Sequence, residues 1–133
     1  MSTETKYGLQ ATLDEPFEDS IKKVTQALKD EGFGILTEID IQTTLKQKLD
    51  VDTSKYVILG ACNPSLAHQA LQDEQEIGLL LPCNVIIYEQ VATATTNIAI
   101  LDPTIMVEIT GNPRLKAIAD EAHTRLKRVI QNL

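Results

Sequence analysis

The stretch from Tyr56 to Glu89 constrains the fold more than any other part of the chain. It runs Tyr-Val-Ile-Leu-Gly-Ala-Cys-Asn-Pro, passes through a short amphipathic segment, and returns as Leu-Leu-Leu-Pro-Cys-Asn-Val-Ile-Ile-Tyr-Glu. Tyr56-Val57-Ile58-Leu59 is a nearly continuous apolar run of β-branched and aromatic residues, the pattern of a strand buried on both faces. Gly60 is expected to bound it. Asn63 is a good helix N-cap, and Pro64 fits the first helical position, where its missing N–H costs nothing. Leu66, Ala67, Ala70 and Leu71 then share one helical face. Pro82 is tolerated at a strand's start or edge but not in its middle, so Cys83 is expected near the start of a strand over Val85–Tyr88.

Both cysteines of the chain lie in this stretch. Cys62 is expected at a strand-to-helix junction, just ahead of free backbone N–H groups. Those groups and the helix dipole favour a thiolate, and the same geometry favours a bound anion. The competing reading is a small buried hydrophobe at a tight junction, because free cysteine is among the most buried residue types. Whether Cys62 and Cys83 meet stays open: parallel strands set them at opposite ends of the sheet, whereas antiparallel strands, or a Gln72–Leu81 connection that folds back, let the sulfurs approach. Cys62 and Cys83 are thus the candidate catalytic residues, and Cys62, Asn63, Pro64, Cys83 and Asn84 the candidate ligand-binding set.

Gly60-Ala61-Cys62-Asn63-Pro64, followed a helix later by Leu80-Leu81-Pro82-Cys83-Asn84-Val85, resembles the prokaryotic domain of unknown function 302 family. Gly32 to Thr37, Ile39-Asp40 and Asp102-Pro103 also look like that family's pattern, and the resemblance runs from about Tyr7 to Leu133. It implies a two-layer α/β domain that pairs as a homodimer. It implies no activity.

The rest of the chain reads as alternating elements. Tyr7–Leu13 is a strand. Asp14-Glu15-Pro16 opens a helix whose stripe is Phe17, Ile21, Val24 and Leu28, and Gly32 ends it as a left-handed cap residue. Gly34–Ile39 is a second strand, and Asp40 caps a helix with Ile41, Leu45 and Leu49 inward. Thr96–Leu101 pairs with Val85–Tyr88 as a hairpin. Thr104–Thr110 fits a strand or a helical turn. Gly111-Asn112-Pro113 restarts a helix with a wide stripe from Leu115 to Leu133. The order β-α-β-α-β-α-β-β-α predicts a single α/β (α+β) domain over residues 1–133, two-layered, with a mixed sheet of about five strands.

Composition narrows the function classes. A net charge of −7, with no basic run beyond Lys22-Lys23, argues against nucleic-acid partners, whose affinity comes mainly from Lys and Arg. No stretch approaches the roughly 20 apolar residues of a membrane span, and the polar N-terminus has no signal core. A cytoplasmic location is expected, where two cysteines are free thiols by default. Cys62, Cys83, His68 and His123 match no zinc spacing, so no metal and no cofactor is expected. His123 reads as a solvated or edge residue of the last helix. Asp40, Glu89 and Asp102 read as caps and turn residues, with a cleft role as the alternative. Glycine-rich phosphate loops and nucleophile elbows are absent from the sequence. Three functions remain: a homodimeric module binding a small molecule or anion at Cys62-Asn63-Pro64, a thiol redox or transfer protein using Cys62 and Cys83, and a structural domain docking through its last helix.

Overall fold

The computed structural model describes the backbone of residues 2–4 and 6–133 and the side chains of residues 6–133. The strands are β1 (Ser2–Glu4), β2 (Gly8–Leu13), β3 (Gly34–Asp40), β4 (Tyr56–Cys62), β5 (Cys83–Gln90) and β6 (Thr95–Leu101). The helices are α1 (Phe17–Asp30), α2 (Ile41–Leu49), α3 (Pro64–Asp73), α4 (Ile105–Thr110) and α5 (Lys116–Gln131). The α/β class holds, and the expected order is extended by β1 at its start, which makes six strands, and by α4 ahead of the last helix.

The sheet is not mixed. It has the order β1-β2-β6-β5-β4-β3, and every neighbouring pair is antiparallel. The reason lies in the helical connections. A parallel neighbour needs a crossover that carries the chain back along the sheet. Here α2 and α3 do no such thing. Each returns the chain to the end of the sheet it has just left, so β3, β4 and β5 reverse in turn.

Strand alternation then sorts the residues. Leu9, Ala11 and Leu13, then Val57, Leu59 and Ala61, then Val85, Ile87, Ile98 and Ile100 all face inward and are buried. They pack on Val24 and Leu28 of α1 and on Leu126, Val129 and Ile130 of α5. A fully buried Leu28 contributes on the order of 2 kcal/mol by area removed from water. A smaller second core joins Ala70 of α3, Ile77, Met106 of α4, Leu115 just ahead of α5, and Ile118 of α5. The α5 stripe is therefore occupied within the chain.

Several local expectations hold. Asp40 accepts a hydrogen bond from the Thr43 N–H, and Asn63 from the Leu66 N–H. Gly32 takes φ +85° after α1, as a left-handed terminator does. Others are corrected. β4 continues through Gly60 to Cys62, because Gly60 sits where a side chain has no room: a Cβ there would overlap Thr37 Oγ1 and lie 2.7 Å from Pro82 Cγ. The α2 stripe is not inward, since Leu49 is exposed and no residue of α2 is fully buried. That helix contacts β3 and β4 and adds no residue to either core. Leu71 likewise points to solvent while Ala70 packs.

Candidate functional site

The antiparallel register brings the two cysteine motifs to one end of the sheet. Ala61 pairs with Cys83, so Cys62 ends β4 where Cys83 begins β5. A cavity of about 50 Å³ opens there. α3 and α5 form its walls, the Leu80–Pro82 approach to β5 and the start of α4 close it, and Phe33 lines it from the turn after α1. Leu66, Leu81, Met106, Ile118 and Leu126 make most of its lining aliphatic. Cys62, Asn63 and Cys83 reach it, whereas Pro64 and Asn84 are not among its lining residues. Asn84 is instead exposed on the other face of the sheet.

The two thiols sit in different surroundings. Cys83 is in phase with Ala61 and packs against the main core. Its Sγ donates to the Leu101 carbonyl at 3.6 Å. Burial, with the charge of Asp102 added, pushes the thiol up to about 12. Cys62 lies one residue out of phase, so the pleat sends it to the face opposite Cys83. Burial raises the Cys62 thiol as well, opposite to the direction expected from a helix start. Both are free thiols.

The start of α3 is largely self-satisfied. Pro64 has no N–H, the Leu66 N–H goes to Asn63 Oδ1 at 3.1 Å, and the Ala67 N–H goes to the Asn63 carbonyl at 2.9 Å. Asn63 itself is buried. The Ser65 N–H alone is left in that turn for an outside anion. Among the described residues, every buried side-chain polar atom has a hydrogen-bond partner.

One cluster escaped the sequence reading. His123 is not a solvated residue: its Nδ1 lies 3.1 Å from Asp102 Oδ1, and both side chains are mostly buried. The same oxygen accepts from the Thr104 N–H at 3.0 Å and the Thr104 hydroxyl at 2.7 Å. Burial pushes the Asp102 carboxyl up, but the two Thr104 bonds and His123 outweigh it, and the net shift is down. The pair ties α5 to the β6–α4 junction, two walls of the cavity. Asp102-Pro103-Thr104 was the available signal, since an Asp two residues before a Thr makes an Asx turn. Nothing in the sequence marked its partner. No three His, Cys, Asp or Glu side chains among the described residues are grouped to hold a metal ion.

Fold and site together define a two-layer α+β domain, with an antiparallel sheet under one helical layer and an apolar cavity at the sheet end that carries both cysteine motifs. The chain belongs to the family described as Domain of unknown function DUF302, whose model matches residues 9–133. It is similar to an uncharacterized conserved DUF302 protein from Bacillus stearothermophilus, known from a crystal structure. The two share 29% sequence identity with a TM-score of 0.87, over 96% of this chain and 98% of that one. No curated protein matches the chain. Among the described residues no helix is long and apolar enough to cross a membrane.

Proposed function

We propose that the chain is a binding module for a small neutral ligand that inserts a short apolar group into the cavity beside Cys62, Asn63 and Cys83. The observation that carries this reading is the lining: an almost wholly aliphatic cavity whose few polar neighbours already have partners. Such a site rewards apolar area and offers a charged group nothing. The anion alternative loses weight because Asn63 and Pro64 already account for most of the free N–H groups of α3. The volume sets the size. A cavity of about 150 Å³ admits benzene, so 50 Å³ suits a group of a few heavy atoms, such as a methyl thioether or a short alkyl end. The raised thiols suit a packing role in a reducing, cytoplasmic setting better than a nucleophile's role. The module works as a homodimer.

The test is chemical-shift perturbation with dimethyl sulfide, ethane and xenon, against sodium sulfate and phosphate. The neutral probes are expected to shift amides of Asn63, Ala67 and Ala122, and Ala67→Leu, which fills the cavity, to abolish the response. Shifts from sulfate alone, centred on Ser65, would replace this reading with the anion site. Probe binding unchanged in both Cys62→Ala and Ala67→Leu would move the ligand elsewhere.

A further inference from the structure

The helices that build the main core lie on one side of the sheet, and the register fixes what the other side presents. One row across four adjacent strands is Ile39, Ile58, Ile86 and Ala99, which continues onto Gln10 of β2. The next row holds Tyr56 and Tyr88, stacked with ring centroids 5.3 Å apart, then Asn97 and Thr12. On the other flank lie Thr37, Gly60 and Asn84. The remaining outward positions of β2, β5 and β6 are Gly8, Gln90, Thr95 and Leu101.

None of these outward positions carries a charge. A sheet face in water ordinarily alternates core residues with charged and polar ones, and 23% of this chain is charged. Yet the strand carboxylates Glu38, Asp40 and Glu89 fall on the opposite phase, and Ile39, which ends the apolar row at the edge strand β3, is 47% exposed. A shallow groove of about 150 Å³, bordered by Tyr7, Gly8, Asn84, Ile86 and Ala99, adds relief to the same face.

We infer that this uncharged sheet face is where a second copy of the chain docks, face to face across a two-fold axis. The inference rests on the proposed pairing of two chains and not on the cavity's ligand. Two arguments select a second copy. Each chain carries −7, so two copies repel wherever their charged surfaces meet and approach most easily where both are neutral. A two-fold contact also sets a surface against itself. The polar groups of this face are amides and hydroxyls, each both donor and acceptor, and so can pair with their own kind. They already do so within the chain: the Thr12 hydroxyl donates to Asn97 Oδ1 at 2.8 Å, and Asn97 Nδ2 donates to Gln90 Oε1 at 2.8 Å. A partner read by charge would find nothing to read.

The test is the mass in solution, by light scattering and sedimentation equilibrium, of the wild type, Ile86→Glu, Asn97→Lys and a control, Leu79→Glu, at an exposed site away from the sheet. The wild type is expected at the mass of two chains. Ile86→Glu and Asn97→Lys are each expected to weaken pairing by about 100-fold or more, because like charges then face each other across the axis. Leu79→Glu is expected to pair as the wild type does. If Ile86→Glu does not fold by circular dichroism, Asn97→Lys, a half-buried polar exchange, decides. A wild type that stays at one chain's mass at micromolar concentration would overturn the pairing itself. A paired wild type whose folded Ile86→Glu or Asn97→Lys variant remains paired would overturn the surface while leaving the pairing intact.

Discussion

Ala61 and Cys83 face each other across β4 and β5, and that one pairing sets the two thiols on opposite faces of the sheet. Side chains alternate with a period of two, so a residue opposite Cys83 shares its face and the next one does not. The two Cys-Asn motifs are neighbours at one sheet end without being one dithiol. Cys83 belongs to the core, and Cys62 closes the strand ahead of the Asn63 cap.

The first prediction follows for alkylation. Cys83 is expected to react with iodoacetamide about a thousandfold more slowly than a free thiol at neutral pH, because a thiol moved from 9.0 to about 12 ionises that much less. Stability carries the same signature. As pH rises past the unfolded thiol's value, the unfolded chain loses its proton first, so folding stability falls between about pH 9 and about pH 12. Cys83→Ala should flatten that alkaline slope in urea titrations. Rapid alkylation of Cys83 in folded protein would contradict the burial.

The hydrogen bonds to Asp102, from Thr104 first and His123 second, set the acid limb. The Asp102 carboxyl sits below its ordinary 3.8, so it contributes stability above that value and loses it as pH falls through the folded value. Asp102→Asn should lower the melting temperature at pH 7, and the difference from wild type should shrink as pH falls through the lowered folded value. His123→Ala should cost about 1 kcal/mol at pH 7, the usual worth of one such hydrogen bond. A loss that persists undiminished at the lowest pH would point to packing instead of charge.

What the sequence showed and what it hid divide along a physical line. Features set by neighbours in the chain were legible. Phe17, Ile21, Val24 and Leu28 gave the buried stripe of α1, and Asp40 and Asn63 gave their caps, because helix periodicity and capping act within a few residues. Features set by register were not. The apolar run Tyr56–Leu59 looked two-sided, yet Tyr56 and Ile58 face outward and only Val57 and Leu59 are core. The return of the chain through α3, the meeting of His123 with Asp102 and the uncharged face all depend on which strand lies beside which. Thr104–Thr110 stood between strand and helix. It is a helix because Asp102 binds Thr104 at its start and Gly111, at φ +66°, ends it.

The Asn63 cap gives a third prediction. Its side chain holds the first turn of α3 against the cavity, and Asn63→Ala should cost about 1 kcal/mol in chemical denaturation. Asn63→Ser, whose hydroxyl also accepts from the third residue of a helix, should recover most of that loss. Equal losses in the two variants would assign the effect to the packing of Asn63 beside Gly32.

Gly60 gives the last. It lies between Thr37 of the edge strand β3 and Pro82, and a methyl group there overlaps Thr37 Oγ1 and comes within 2.7 Å of Pro82 Cγ. Gly60→Ala should therefore destabilise by about 1–3 kcal/mol, the range for overpacking, despite the usual entropic gain of replacing a glycine. Thr37 is exposed, so Thr37→Ala alone should be within about 0.5 kcal/mol of neutral. Together the two changes should be less harmful than their sum, because removing the Thr37 hydroxyl opens one side of the clash, while the contact with Pro82 keeps the double variant below wild type. Denaturant melts of the four proteins give the coupling directly. Strict additivity would mean that Thr37 does not confine position 60, and that Pro82 alone demands glycine there.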